Sequence, residues 1–273
     1  MVRSYGANLT DIIDRGARDL GMVSGKRLST GVNHPLRTAH GYGLAVADMP
    51  WWIHHGGHYP YAFDDFEGTL KWRQTMPTVS KASDTGFVHS GTSSMKMITA
   101  ATAGVSAGAE FRTMPLRADP LYYTIEMWFA LTAVAVQTPR EFAVTWAVED
   151  ALTPVARIFG FRYVNYNATN PVFKIQYWTS GAAWADLTIV EIPIDIVNPQ
   201  FHYLIFKIRR VPTQPFDYGD LTFDNYTWPL EGTAGETATA SISRTVVNVY
   251  CTTDAAAATT AYVDDFAIFA GAT

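Results

Sequence analysis

The stretch FDDFEGTLKW (residues 63–72) is partly repeated near the other end of the chain, in AYVDDFAIF (residues 261–269). Both segments carry Asp-Asp-Phe beside further aromatic residues. Between them lie segments in which apolar and polar residues alternate, separated by Gly, Pro, Asn and Asp. A series of such segments at regular spacing is typical of an antiparallel β-sandwich. The sequence therefore predicts an all-β fold for residues 61–273, with the same short motif at both ends.

Nine segments of this region match the strand pattern. They are LYYTIEMWFALTAV (121–134), REFAVTWAVED (140–150), RIFGFRYVNY (157–166), VFKIQYWTS (172–180), WADLTIVEI (184–192), FHYLIFKIRR (201–210), DLTFDNYTW (220–228), SRTVVNVYC (243–251) and AYVDDFAIF (261–269). Successive side chains of a strand point to opposite faces, so alternation identifies the core positions. We predict a core made of every second residue over 123–129, 142–148, 173–177 and 204–208.

The opposite face of several predicted strands combines aromatic and polar residues. Such a composition serves to bind sugars or protein partners, because it joins a large apolar surface to groups that form hydrogen bonds. In the alternative, loops or the N-terminal arm cover this face. The residues predicted to form a glycan-binding or partner-binding face are Tyr122, Glu126, Trp128, Gln176, Trp178 and Tyr203.

An extended arm, residues 1–60, precedes the sandwich. It is rich in Gly, His and Pro, and one stretch in it, NLTDIIDRGARDLG (8–21), places apolar residues on a single helical face. Asn8 can cap this stretch and Gly21 can end it, which predicts a short helix over about residues 8–20. Trp51 and Trp52 stand near the end of the arm. Aromatic anchors dominate many interfaces, so we predict that this pair attaches the arm to another surface.

The composition excludes several classes of function. The chain has 20 Lys and Arg against 25 Asp and Glu, a net charge of -5, and no basic run. Binding to nucleic-acid phosphates requires clustered basic residues, so we expect no nucleic-acid partner. No apolar signal core opens the sequence and no run reaches transmembrane length, so we expect synthesis without export and no membrane partner. Cys251 is the only cysteine, and we expect it to be a small buried apolar side chain.

Three segments together resemble the jelly-roll carbohydrate-binding modules attached to bacterial glycanases. They are FDDFEGTLKWRQ (63–74), HSGTSSMKMITA (89–100) and the terminal AYVDDFAIF. The chain is also similar to the wider set of concanavalin-like and laminin-G-like sandwiches. The resemblance implies an antiparallel jelly-roll β-sandwich in which the first and last strands lie side by side, which would bring the two Asp-Asp-Phe segments together.

The resemblance also implies a structural calcium ion at this place. By position, Glu67 and Asp264 would be ligands, Asp65 a weaker candidate, and backbone carbonyl groups near Gly91 would complete the shell. Calcium prefers six to eight oxygen ligands, which clustered carboxylates supply. In the alternative, these acids cap strands and accept hydrogen bonds from backbone N–H groups.

No constellation of catalytic residues is predicted. Glu191 and Asp195 share a face of VEIPIDIV (190–197), but two positions four apart on one strand are farther apart than the 5–5.5 Å that retaining glycoside hydrolysis requires. The histidines of WWIHHGGHYP (51–60) match no established zinc spacing, and we expect them to form hydrogen bonds or to sense pH beside the tryptophan anchor. We therefore expect a protein that is not an enzyme and needs no cofactor beyond the calcium ion that the resemblance implies.

Two functions are compatible with these features. We expect a structural protein of a virion or a similar assembly, such as a capsid-decoration, head-surface or tail component, whose arm contacts neighbouring subunits. The arm, the missing export signal, the low charge and the aromatic outer face favour this hypothesis. Viral capsids repeatedly use jelly rolls. The alternative is a carbohydrate-binding module or lectin-like domain, located outside the cell or at its surface, and the end motifs and the aromatic face favour it.

Overall fold

A computed structural model gives the fold of the chain. The structure describes residues 60–76, 80–113, 122–133, 140–149, 156–165, 173–187, 199–211, 214–238, 244–253 and 257–271. All of them belong to one compact unit, residues 58–273. The predicted arm and the helix expected over residues 8–20 lie outside the described residues. The domain boundary expected after residue 60 stays a prediction.

The described residues form strands joined by turns and loops, with no helix among them. In chain order the strands are β1 (Pro60–Asp64), β2 (Arg73–Gln74), β3 (Ser80–Asp84), β4 (Ser94–Ile98), β5 (Val105–Thr113), β6 (Tyr122–Ala133), β7 (Arg140–Glu149), β8 (Ala156–Asn165), β9 (Phe173–Trp178), β10 (Trp184–Asp186), β11 (His202–Val211), β12 (Gln214–Phe223), β13 (Tyr226–Pro229), β14 (Glu236–Thr237), β15 (Thr245–Thr253) and β16 (Thr259–Gly271). The described part of the chain contains no helix long and apolar enough to span a membrane.

The strands form two eight-stranded sheets. The first sheet runs in the order β13-β12-β11-β6-β16-β4-β3, with β1 also paired to β16. The second sheet runs in the order β10-β9-β8-β7-β15-β5-β2, with β14 also paired to β8. Neighbouring strands are antiparallel throughout, for example β16 against β6 and β7 against β8. The predicted all-β antiparallel jelly-roll sandwich is therefore confirmed.

The core lies between the two sheets and is dense in aromatic rings. Phe129 of β6 stacks on Phe142 of β7, with centroids 4.0 Å apart and planes 9° apart. Trp146 of β7 meets Phe206 of β11 edge to face at 5.8 Å. Alternation places these rings inward: every second residue over 123–129, 142–148 and 204–208 is fully buried, as predicted. On β9 the prediction holds for Ile175, which is also fully buried, whereas Tyr177 is only half-buried.

The first and last strands of the sandwich lie side by side, as the resemblance implies. β1 pairs with β16 so that Phe63 opposes Ala267 and Asp64 opposes Phe266. The register of β16 against β6 shifts between Asp264 and Ala267, which marks a bulge. Within it Asp265 has a positive φ of 48°. The two Asp-Asp-Phe segments are therefore neighbours in space.

Two predicted strands differ in the structure. DLTFDNYTW (220–228) is not one strand but a hairpin, because β12 ends at Phe223, the chain turns, and β13 begins at Tyr226. Asp224 has a φ of 50°, a conformation that Asp tolerates better than most residues, and this permits the tight turn. WADLTIVEI (184–192) contributes only the short strand β10, and its residues from 188 onward lie outside the described residues.

A side chain closes a gap between strands of the second sheet. Strand β8 pairs with β9 from Phe161 onward and with β14 at Ile158, and Gly160 lies between the two pairings. The hydroxyl of Tyr218, which comes from β12 of the first sheet, accepts a hydrogen bond from the Gly160 N–H at 2.8 Å. It donates to the Trp178 carbonyl at 2.7 Å. Tyr218 thus joins the two sheets through the core and replaces a missing backbone partner.

Candidate functional site

Four of the six residues predicted for the binding face lie together on the outer side of the first sheet. Tyr122, Glu126 and Trp128 alternate along β6 with the buried core residues, and Tyr203 lies directly opposite Trp128 on β11. All four are partly exposed. We call this surface, with the loop that covers its Trp128 end, the β6–β11 face.

The other two predicted residues lie elsewhere. Gln176 and Trp178 belong to β9, which is a strand of the second sheet. Gln176 bonds Arg162 and Asp186 there, and the Trp178 indole N–H donates to Glu236 at 2.5 Å. The six residues therefore do not form one face. Alternation identifies the outer side of each strand, but it does not tell which of the two sheets the strand joins.

A stack of rings forms one end of the β6–β11 face. The imidazole of His89 lies on the indole of Trp128, with centroids 3.9 Å apart and planes 15° apart. Trp128 also stacks on Tyr203, with centroids 4.8 Å apart. Phe201 meets His89 edge to face at 5.6 Å and stacks on Phe87 at 4.8 Å. The indole N–H of Trp128 is buried and has no partner among the described residues.

A carboxylate stands beside this stack. Glu126 accepts a hydrogen bond from the Tyr203 hydroxyl, with an oxygen–oxygen distance of 2.6 Å. Burial and the nearby charge of Glu126 raise the pKa of Tyr203 well above its usual range, so its hydroxyl stays protonated and donates. The pair thus holds the Glu126 carboxyl group beside the stacked rings of Trp128 and Tyr203.

The other end of the face carries a cation and a further ring. The Lys207 ammonium lies 5.5 Å from the centroid of the Tyr122 ring. It also lies 3.8 Å from a carboxylate oxygen of Asp220. Thr124 faces outward between these groups, opposite Lys207. The β6–β11 face therefore offers rings, a carboxylate, an ammonium group and a hydroxyl within a few strand positions.

Asp264 and Asp265 attach the loop of residues 85–93 to this face. Asp264 Oδ2 accepts hydrogen bonds from the backbone N–H groups of His89 and Ser90, at 2.8 and 3.3 Å. Asp265 Oδ2 lies 2.7 Å from His89 Nδ1, and the Ser90 hydroxyl donates to Asp265 Oδ1 at 2.7 Å. Burial, followed by the charge of Asp265, raises the pKa of Asp264 to about 8. The bulge of β16 thus sets the position of the loop.

Glu67 holds the same loop from the other side. Its carboxylate accepts hydrogen bonds from the backbone N–H groups of Thr92 and Ser93. Gly91, with a φ of 69°, allows this approach, because an added Cβ would lie 2.2 Å from Glu67 Oε1. Asp65 accepts from the Glu67 N–H at 3.3 Å. The loop is therefore bound by carboxyl groups from both ends of the sandwich, Glu67 after β1 and Asp264 and Asp265 in β16.

These hydrogen bonds involve the residues predicted to bind calcium. Glu67, Asp65 and Asp264 each accept hydrogen bonds from backbone N–H groups, which is the alternative that the sequence left open. Within the described ranges, no group of three or more His, Cys, Asp or Glu side chains is placed to hold a metal ion. The calcium ion stays a prediction.

Other predicted residues lie outside the described residues or far from this face. Trp51 and Trp52 fall in the arm, and Glu191 and Asp195 fall between described segments. Cys251 is fully buried, as expected, and burial raises the pKa of its thiol to about 12. The interpretation of Cys251 as an apolar core residue is confirmed.

Two residues of the site were not predicted from the sequence. His89 and Asp265 come together only because β16 pairs near the loop of residues 85–93, across a separation of 176 positions. Asp265 belongs to the second copy of the Asp-Asp-Phe motif, but the motif did not assign it a role. No local signal singled out His89, because its role depends on the loop that folds it onto Trp128.

Comparisons with known proteins show similarity at the level of the fold. No family model matches the chain. No curated protein matches it either. Three of the solved structures that match are the potassium-bound carbohydrate recognition domain of Emp46p (9% identity, 78% of this chain and 94% of that chain, TM-score 0.44), endo-β-1,4-glucuronan lyase from the fungus Trichoderma reesei (11%, 79% and 96%, 0.41) and the CBM2 module of the evolved Dit of Lactobacillus casei BL23 phage J-1 (12%, 76% and 95%, 0.42).

The matched structures thus include a carbohydrate recognition domain and a CBM2 module. One of the three is an enzyme and another is a phage module. A shared fold does not imply a shared function, so the function has to be argued from the site.

Proposed function

We propose that this protein is a non-catalytic carbohydrate-binding domain that holds a glycan against the β6–β11 face. The observation that carries the proposal is the Glu126–Tyr203 pair beside the ring stack. The pair places a carboxylate, with its oxygen 2.6 Å from a tyrosine hydroxyl, next to the half-buried indole of Trp128. Sugars present hydroxyl groups and apolar C–H surfaces in close alternation, and both kinds of surface find a partner here.

The polar groups of the face suit a sugar because they are held in place. Glu126 is oriented by Tyr203, and Lys207 lies between the Tyr122 ring and Asp220. Groups fixed before binding lose little conformational freedom when a ligand arrives, which favours binding. Binding sites of this kind combine an apolar lining with a small number of placed polar groups.

The carboxyls near Glu126 support a binding role more than a hydrolytic one. Hydrolysis of a glycosidic bond usually requires a second carboxyl that acts as acid, base or nucleophile. Asp264 and Asp265 are the acids of the neighbouring strand β16, and both are engaged by His89 and Ser90. Because these two acids bind the loop, they support our proposal that the domain binds a glycan without cleaving it.

The test begins with a glycan array, probed with the full-length protein in the presence of calcium and again in the presence of EDTA. Affinity for the glycans that bind is then measured by calorimetry for the wild type and for Glu126→Gln. A hydrogen bond to a charged group is worth about 1.5–3 kcal/mol, so we expect its removal to weaken binding about tenfold or more.

Glu141→Gln is the matched control. Glu141 lies on the outer side of the second sheet, bonded to Arg162 and beside Tyr250. We expect this variant to bind like the wild type. Absence of any bound glycan, or equal affinities of Glu126→Gln and Glu141→Gln, would overturn the proposal.

The assembly role predicted from the sequence depends on the arm, which lies outside the described residues. It stays a prediction and is compatible with glycan binding by the sandwich.

A further inference from the structure

His89 and Asp265 form a polar contact that the packing of the loop on Trp128 does not require. The imidazole Nδ1 lies 2.7 Å from Asp265 Oδ2, and the Asp265 side chain is only 3% exposed. A phenylalanine at position 89 would stack on Trp128 equally well. Position 89 instead carries an imidazole, which has two polar nitrogen atoms, and the buried Asp265 carboxylate lies against one of them, Nδ1.

Asp265 holds this position at a cost in backbone energy. Its φ of 48° is unusual for a residue with a side chain, and it lies where the register of β16 shifts between Asp264 and Ala267. Bulges re-aim side chains and are common beside functional sites. Residues in sparsely populated backbone conformations cluster at such sites as well. The bulge here points the Asp265 carboxylate at His89.

The hydrogen bond with Asp265 determines which nitrogen of His89 carries the proton. A carboxylate can only accept, so in the neutral imidazole Nδ1 carries the hydrogen and Nε2 has the lone pair. Nε2 has no hydrogen-bond partner among the described residues, and 26% of the His89 side chain is exposed. An oriented acceptor atom is therefore present at the edge of the ring stack, on the same face as Glu126.

We propose that His89 is a ligand-binding residue of the β6–β11 face, and that its Nε2 accepts a hydrogen bond from a sugar hydroxyl. Asp265 is the positioning residue that fixes the tautomer. This inference rests on the proposed function and deepens it, because it assigns a second acceptor to the glycan site. The site then recognises hydroxyl donors with both Glu126 and His89.

Asp265→Asn tests the inference with a minimal change of shape. The Ser90 hydroxyl donates to Oδ1, so the amide oxygen takes that place and the amide N–H₂ faces His89. The amide then donates to Nδ1, and Nε2 must carry the proton. His89 becomes a donor where it was an acceptor. Imidazole ¹⁵N chemical shifts report this exchange of tautomer directly, and His89→Phe, which keeps the ring stack, identifies the His89 signals.

The chain contains a second pair of the same kind, which serves as control. His202 Nδ1 lies 2.7 Å from Asp224 Oδ2, and the Tyr203 N–H donates to Asp224 Oδ1. By the same reasoning, Asp224→Asn exchanges the tautomer of His202. The Nε2 of His202 is buried, so no ligand can reach it. We expect this variant to leave glycan affinity unchanged.

Binding is measured by calorimetry with the β-1,4-linked hexasaccharides of glucose, xylose and mannose. We expect Asp265→Asn and His89→Phe to weaken binding about fivefold or more, which corresponds to one neutral hydrogen bond. In the wild type, the oligosaccharide should also shift the Nε2 signal. Binding that Glu126→Gln weakens but Asp265→Asn and His89→Phe do not would overturn this inference alone. If the wild type binds none of the three sugars and none on the array, the proposed function fails, and this inference fails with it.

Discussion

The imidazole of His89 lies flat on the indole of Trp128, with ring centroids 3.9 Å apart. One ring comes from a loop and the other from the middle of the first sheet, so their stacking fixes how residues 85–93 fold over the β6–β11 face. The backbone of the loop is bound by Asp264 and Glu67 in addition. Ring stacking and carboxylate anchors together hold this end of the face in one arrangement.

Trp128→Ala is expected to lower the free energy of unfolding by about 2–4 kcal/mol, because it removes a half-buried indole and the stacking that this indole provides. In the wild type the indole stacks on both His89 and Tyr203. Urea unfolding measures the change. Tyr226→Ala is the control, since Tyr226 is 47% exposed at the edge of the first sheet, and it should cost less than about 1 kcal/mol. Equal costs for the two variants would show that Trp128 does not organise the face.

Alternation predicted the core because it reflects a local property of strands. Each strand with one buried face needs apolar residues at every second position, and Tyr123, Met127 and Phe129 show this pattern in the sequence and in the structure. Strand β5 was not predicted, because its inward positions give only a weak apolar pattern. Its inward side carries Ala107 and Ala109, which are small and give no strong strand signal.

The grouping of the site residues could not be predicted because it depends on strand pairing over long distances. Trp128 and Tyr203 are neighbours since β6 pairs with β11, and Trp178 is remote since β9 joins the other sheet. His89 reaches Asp265 because β4, which follows the loop of residues 85–93, pairs with β16. The resemblance to carbohydrate-binding sandwiches implied the pairing of β1 with β16, but no residue pattern predicted the other pairings.

Tyr218→Phe is expected to cost about 1–3 kcal/mol, because it leaves buried backbone groups of Gly160 and Trp178 without their partner. The change removes one oxygen atom and no packing surface, so urea unfolding should report the hydrogen bonds alone. Tyr226→Phe removes an exposed hydroxyl and should be neutral. A neutral Tyr218→Phe would mean that water replaces the hydroxyl in the gap of the second sheet.

Gly160→Ala is expected to destabilise the sandwich by about 1–3 kcal/mol through overpacking. A Cβ at this position would lie 2.9 Å from the Trp184 ring and 3.0 Å from Trp178 Cβ. The Trp184 ring contacts Arg162 at 4.6 Å and meets Trp178 edge to face at 4.9 Å, so a shift of the ring would disturb both contacts. Gly181→Ala is the matched control, because its nearest neighbour would be 3.8 Å away. The melting temperatures of the two variants test this prediction, which fails if Gly160→Ala and Gly181→Ala unfold at the same temperature.

Removal of the arm is expected to change the oligomeric state. A chain that begins at His58 keeps β1, which starts at Pro60, and therefore keeps the pairing of β1 with β16. If Trp51 and Trp52 anchor the arm to a neighbouring subunit, the full-length chain should assemble and the shortened chain should be a monomer. Light scattering after size-exclusion chromatography gives both masses. If both chains are monomers, the assembly role is contradicted. A full-length double variant, Trp51→Ala with Trp52→Ala, tests the same contact with a smaller change.

Asp264 is expected to make stability depend on pH. Its pKa is raised to about 8 in the folded protein, whereas an unfolded Asp titrates near 3.9. Between about pH 4 and pH 8 the folded state therefore holds a proton that the unfolded state has released, and the free energy of unfolding from this group falls as pH rises through that window. Asp264→Asn removes this contribution, so the stability difference between wild type and variant should change steadily across the window. Urea unfolding of both proteins from about pH 4.5 to about pH 8.5, with EDTA present, measures it. A difference that stays constant would show that the hydrogen bonds from His89 and Ser90 keep the carboxylate ionised throughout.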